Sequence, residues 1–263
     1  MVSVFLRSFE AIIFGRFIVG LSAGAYTVVT PTYLSEIAPV KSRGAAGVMN
    51  QFVTVLAILL SQVLGLSQVL YYSVPLFESV GLTNRDASFV NLGVGAVIVL
   101  GTIMSICVID RGGRRMLLLV GFSVCLVSLI TFTTVLSVQK FSHISWLTYI
   151  SILVLYLFVS GFSFGPGSVP WFLVAELFTQ EYRDAAQSVA VGTNWLCNIL
   201  VGLLFPQLLA LIDCFAFVPF ICVLIIVIIL IALYLPETKG FNPVYIESVF
   251  KAQCKHSTLM PVS

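Results

Sequence analysis

Charge is what this sequence has least of: Asp, Glu, Lys and Arg supply only 9% of its 263 residues. A soluble domain carries about 25%, because water must wet its surface. So few charges exclude an ordinary soluble enzyme or globular binding module. Histidine is scarcer still, with two residues, His143 and His256. No metal-ligand cluster, nucleophile elbow or phosphate loop can be traced in the chain. Neither an enzyme nor a bound cofactor or metal is therefore expected. The six cysteines make no Cys-x-x-Cys pair and no zinc or disulfide spacing. Cys107, Cys125, Cys197, Cys214 and Cys222 lie in or beside apolar runs, where they read as small packing residues, and Cys254 lies in a polar stretch. The thirteen Lys and Arg residues are scattered and form no single stripe, so no nucleic-acid partner is expected. Met1–Phe5 has no basic leader region, and Glu10 and Arg16 interrupt the apolar run behind it, so no cleavable signal peptide is expected.

What the chain has in abundance is apolar surface, with 59% hydrophobic residues. Seven apolar segments run approximately Phe9–Tyr33, Gly44–Leu70, Ala87–Ile109, Met116–Val138, Ser145–Val174, Ala185–Ile212 and Cys214–Leu235. A spanning helix needs roughly 20 such residues, and only a helix satisfies its own backbone in an open chain crossing hydrocarbon. The stretch Tyr71–Phe77 is apolar too, but Pro75 predicts a break there near the membrane surface. If the spans alternate, one side receives Lys41, Arg43, Arg111, Arg114, Arg115, Arg183, Lys239, Lys251 and Lys255. The other receives Arg7, Arg85 and Lys140, while Arg16 lies inside the first span. The basic side is the cytoplasmic one, so the N-terminus is expected outside and the C-terminus inside.

Two turns share one charge grammar. Glu36 precedes Arg43 by seven residues, followed by Gly44-Ala45-Ala46. Glu176 precedes Arg183 by seven, followed by Asp184-Ala185-Ala186. Pro31 and Pro170 stand a few residues upstream of each glutamate. Two such helix–turn–helix units suggest a transporter built from related halves, although Glu and Arg also flank spans for ordinary reasons.

Three features carry candidate chemistry. Asp110-Arg111-Gly112-Gly113-Arg114-Arg115 joins the third and fourth spans; its glycines permit a tight turn. Its guanidinium groups suit bidentate pairing with acids at helix ends, such as Glu176 and Glu237. The plainer alternative is a positive-inside anchor. Gly165-Pro166-Gly167-Ser168-Val169-Pro170-Trp171 predicts a mid-membrane break in the fifth segment, tolerated where it lines a cavity or is buried in protein. Trp171 beside it can stack on the apolar face of a sugar ring, or serve as an interfacial anchor. Finally, Gln51, Gln62, Asn91, Asn194 and Asn198 place amides on the spans. Amides offer a polyol both donors and acceptors without charge, and they equally bond neighbouring helices.

These motifs, with Gly15-Arg16-Phe17 and Pro236-Glu237-Thr238-Lys239-Gly240, come in the order found in GLUT-type sugar porters of the major facilitator superfamily, and the chain resembles that family up to about Phe250. The resemblance implies an all-α polytopic membrane protein with a partial major-facilitator fold of about seven transmembrane helices. It implies hexose transport by alternating access, with no cofactor. Sugar contacts carry over to Gln51, Asn91, Trp171 and Asn198, with Trp195 nearby. Cytoplasmic gate roles carry over to Glu36, Arg43, Arg111, Arg114, Arg115, Glu176 and Arg183, latching two helix bundles in the outward-facing state. The implied partners are a sugar, the lipid bilayer, and another copy or an intact family member; the expected location is the plasma membrane.

The chain also departs from the family. It resembles the family from the fourth of twelve helices onward. From Gln62-Val63-Leu64-Gly65-Leu66, which resembles the fifth helix, it runs almost directly to Tyr71-Tyr72-Ser73, which resembles the outer end of the seventh. Ser163 stands where many glucose carriers have a glutamate. The implied organisation is residues 1–77 as a remnant of the N-terminal bundle fused to that outer end, 78–250 as the C-terminal bundle, and 251–263 as a cytoplasmic tail. A transport-incompetent short form is the rival on activity. A seven-helix receptor is the rival on class, suggested by Asp110-Arg111 and Asn242-Pro243-Val244-Tyr245. Against it, the Asn-Pro stretch lies beyond the last span and no cysteine opens the third.

Overall fold

The computed structural model describes residues 9–39, 42–63, 84–142 and 146–239, and the regular structure among them is helical. The α-helices are α1 (Phe9–Ile37), α2 (Arg43–Val63), α3 (Asn84–Gly112), α4 (Arg114–Ser142), α5 (Leu147–Phe164), α6 (Val169–Leu177), α7 (Gln180–Ile212) and α8 (Val218–Tyr234); a 3-10 turn, Asp213–Phe217, precedes α8. The end of the second expected segment, the Pro75 break and the tail from 251 lie outside the described residues.

Among the described residues, five stretches are long and apolar enough to cross a membrane: Ile13–Ile37, Phe89–Gly112, Arg114–Gln139, Leu147–Leu177 and Gln180–Tyr234. The last, 55 residues, would run about 80 Å as one helix against a hydrocarbon core of about 30 Å. Asp213, with φ at 49°, ends α7 and divides the stretch into two spans. Within α2 the apolar part, Gly44–Leu60, is shorter.

Small residues bring α4 and α5 together. A Cβ on Gly161 would stand 2.6 Å from Val124 Cγ1 and 3.2 Å from the Gly121 carbonyl. Gly165, one turn on, lies directly against the Leu117 backbone. With no hydrophobic gain available between helices in lipid, such close backbone approach supplies the packing energy instead. On the other flank of α5, the Tyr156 hydroxyl donates to the Val90 carbonyl of α3 at 3.1 Å, passing over Gly93.

The break in the fifth span falls at the glycine–proline run. α5 stops at Phe164, and α6 begins at Val169 with Pro170 in its first turn. Backbone groups freed there find partners locally, as buried backbone must. Gly167 N–H donates to the Phe162 carbonyl at 2.7 Å and Val169 N–H to Gly165 at 2.9 Å. The Ser168 hydroxyl takes the Ser163 carbonyl at 3.2 Å, and the Trp171 indole N–H takes Gly167 at 3.0 Å. The break is therefore a closed hydrogen-bonded unit, buried from Gly165 to Val169.

A core cluster of Val48, Ile109, Leu117, Leu118, Val169, Phe172 and Leu173 joins α2, α3, α4 and α6 beneath the basic turns. α2 lies along α3, and both α2 and α7 rest on α6 but not on one another.

Candidate functional site

The α3–α4 turn is made by one residue, Gly113, with φ at +84°; a left-handed conformation costs other L-residues roughly 1–2 kcal/mol. That turn aims Arg114 inward, where it is 4% exposed. Its Nη2 donates to Glu176 Oε1 at 2.9 Å and its Nε to Oε2 at 3.1 Å, a two-pronged fork on a buried carboxylate. Nη1 donates to the Ile109 carbonyl at 3.3 Å, and Asp110 Oδ1 stands 3.8 Å from Nη2. The Thr238 hydroxyl donates to Glu176 Oε2 at 2.9 Å. Each charge thus has its hydrogen-bonding capacity largely filled, as burial of an ion pair demands.

Glu237 serves the helix end rather than a guanidinium. Its carboxylate accepts from the backbone N–H of Arg114 at 2.8 Å and of Arg115 at 3.3 Å, the first two residues of α4. An anion at a helix N-terminus meets orphan donors and the positive end of the macrodipole. The Arg115 side chain donates to the Ala232 carbonyl and ties α4 to the end of α8. Lys239 Nζ donates to the Arg111 carbonyl at 2.8 Å, while the Arg111 side chain is exposed.

The N-terminal helices join this cluster at two points. Gly44, in the first turn of α2, is so close that a Cβ would lie 2.6 Å from Asp110 Oδ1 and 2.8 Å from Arg114 Nη2. Glu36, at the end of α1, pairs with Arg183 at the start of α7, Oε1 to Nη1 at 3.5 Å. Arg43 opens α2, and its side chain lies outside the described ones. The chain therefore gathers Asp110, Arg114, Arg115 and Glu176 where α2, α3, α4, α6 and α8 meet, and pairs Glu36 with Arg183 between α1 and α7.

The five expected sugar residues are not gathered in this way. Gln51 is half-buried on α2, and Asn91 is buried in the N-terminal half of α3. Trp171 is half-buried on α6 with its indole N–H engaged by the break. Trp195 and Asn198 are exposed on α7, and the Asn198 amide donates to the Asn194 carbonyl of its own helix at 2.8 Å. Gln62 falls among side chains outside the described ones.

Three residues of the site have roles that no motif in the sequence states. Thr238 and Gly44 act only through partners brought by the fold. Gln187, 1% exposed on α7, donates from Nε2 to the Trp171 carbonyl at 3.0 Å and pins the break to α7. Among the described residues, no group of three or more His, Cys, Asp or Glu stands together to hold a metal.

With this geometry, the chain matches the family described as Sugar (and other) transporter, over residues 1–69 and 61–250. It is 35% identical over 212 residues to solute carrier family 2, facilitated glucose transporter member 5, of Mus musculus, covering 80% of this chain and 42% of that protein. It is also 35% identical over 187 residues to facilitated glucose transporter member 2 of Gallus gallus, covering 71% and 34%. The chain thus spans less than half the length of these curated relatives. Among solved structures, it resembles the proton:xylose symporter XylE bound to 6-bromo-6-deoxy-D-glucose, with a TM-score of 0.60 at 23% identity over 79% of this chain and 42% of that one. A D-xylose-proton symporter gives 0.58 at 21% identity, over 90% and 50%. At such identity the likeness concerns the fold, a helical major-facilitator arrangement.

Proposed function

The chain belongs to the sugar transporter family, a family of membrane carriers and not of enzymes, and from that membership we propose that it mediates facilitative hexose transport by alternating access. The observation that carries the reading is the buried fork of Arg114 on Glu176, with Glu36 and Arg183 paired beside it. Opposed charges that tie helix ends together in this way are a two-state element of the kind that alternating access needs. Closed, it seals the basic side, which positive-inside bias makes the cytoplasm; opened, it frees α6 and its tryptophan to move. In this reading residues 1–77, 78–250 and 251–263 are the N-terminal remnant, the C-terminal bundle and the cytoplasmic tail. Gln51, Asn91, Trp171, Trp195 and Asn198 are the sugar contacts, and the chain sits in the plasma membrane with its C-terminus inside. Labelled-hexose uptake into liposomes holding only this chain tests it, with Trp171→Ala beside it. Saturable uptake lost in the variant supports the proposal; no uptake from an inserted, helical chain overturns it.

A second reading is favoured by the exposure of Asn194, Trp195 and Asn198 on α7. Polar groups left toward lipid seek partners in another chain. In this reading the short chain does not transport alone but associates with another copy or an intact carrier and alters its uptake. Co-expression with an intact relative decides it: co-purification together with a changed uptake rate supports association, and unchanged uptake without co-purification removes it.

A further inference from the structure

α4, α5, α7 and α8 stand apart at one level of the helix bundle and leave a cavity of about 430 Å³. Its wall is nearly all carbon: Leu129 and Phe132 come from α4, Phe158 from α5, Phe205 from α7, and Phe217 and Phe220 from the 3-10 turn and α8, while Cys125 and Ser128 of α4 bring the two polar side chains, too few to satisfy a polyol. Ring contacts brace it. Phe132 meets Phe217 edge-on at 5.5 Å between centroids, and Phe205 lies 5.6 Å from Phe217 and 5.8 Å from Phe220. None of the five sugar residues lines it.

The chemistry of the wall narrows the occupant. A hexose would leave its hydroxyl groups unpaired there, which buried polar groups do not tolerate. Emptiness deprives every lining group of contacts on one side, and a much smaller apolar cavity, roughly 150 Å³, already takes up benzene. A transmembrane helix is too thick. One turn, about 10 Å across and 5.4 Å high, fills roughly 420 Å³, and a crossing needs five or six turns.

The cavity opens sideways. Val201 and Val223 at its edge are 45% and 57% exposed, and they continue into the exposed apolar surface of Leu200, Leu204 and Ile226. That surface is the one the bilayer wets, so the cavity is continuous with the lipid interface. The only thin, flexible hydrocarbon that interface supplies throughout is an acyl tail. We infer that this cavity binds one acyl chain of a bilayer phospholipid, held by dispersion against the braced rings. The lipid fills the space between α7 and the α4–α5 pair and sets the position of α7.

Photolabelling tests this on the whole chain in bilayer nanodiscs of phosphatidylcholine whose acyl chain carries a diazirine near its end. Leu129 and Phe132 are 8% and 5% exposed and out of reach of bulk lipid. Adducts on both are expected, and Val201→Trp, which fills the mouth, should reduce them at least five-fold. Labelling of the lipid-facing Val127 and Ile130 should not change, and this reports that the variant is folded; Leu224→Trp fills the cavity from α8 as the second variant. Absence of adducts on Leu129 and Phe132 overturns the inference, as does labelling that neither variant reduces. Cross-links from these two residues to a second copy, or labelling only by a photoreactive sterol, overturn it in favour of those occupants.

Discussion

Glu176 and Arg114 lie 62 residues apart in the chain and meet through both prongs of the guanidinium, at 2.9 and 3.1 Å. The folded pairs cross between turns: Arg183 takes Glu36, and Arg114 takes Glu176. The repeated grammar thus builds a connection between segments.

Removing one partner of the buried pair should be costly. Arg114→Leu or Glu176→Leu is expected to lower stability by about 3–5 kcal/mol, because the surviving charge stays buried and unpaired. Glu36→Gln, at a half-exposed site with a 3.5 Å contact, should change it by about 1 kcal/mol or less. Unfolding in mixed detergent, followed by circular dichroism, measures both; equal effects would refute the distinction.

Gly113 cannot take a side chain. An alanine there would need φ of +84° and would set its Cβ 2.5 Å from Glu237 Oε2. Gly113→Ala should lose about 1–2 kcal/mol for the left-handed backbone, with further loss as Glu237 leaves the start of α4. Glu237→Gln removes only the charge at that helix end and should cost about 0.3–1 kcal/mol. Thermal unfolding of the two variants should therefore rank Gly113→Ala as the worse.

Gly161 and Gly192 are both helical, and their substitutions should differ. Gly161→Val drives methyl groups into Val124 and the Gly121 backbone, whereas a Cβ added at Gly192 would meet nothing within 4 Å. Overpacking of this kind costs about 1–3 kcal/mol, so Gly161→Val should lower the unfolding midpoint and Gly192→Val should leave it nearly in place.

The proposed orientation places Cys214 on the outer side and Cys254 inside. A membrane-impermeant maleimide should label Cys214 in intact cells and reach Cys254 only after permeabilisation. Labelling of Cys254 from outside would reverse the topology.

Much of the fold was legible because hydrocarbon imposes one secondary structure and a minimum length. The α5–α6 break sits on the glycine–proline run because proline there removes donors and the glycines permit the turn. The pairing of Arg114 with Glu176 was legible as chemistry, a fork suited to a carboxylate. The role of Glu237 was not, since its partners are backbone N–H groups, which nearly every residue possesses. Gln187 was hidden for the same reason: it holds the Trp171 carbonyl, a group with no sequence signature. The amides at Asn194 and Asn198 were visible as polar residues, but their surroundings depend on which helices pack against α7, and periodicity does not encode that.

Glu237 and Thr238 close the charged cluster from a point just beyond α8, and this sets an order on biosynthesis. The ribosome delivers Arg114 first, Glu176 later, and the residues that cap α4 and complete the Glu176 shell last. A message truncated just after α8 would encode every helix from α1 to α8 and still yield a product whose α4 begins uncapped.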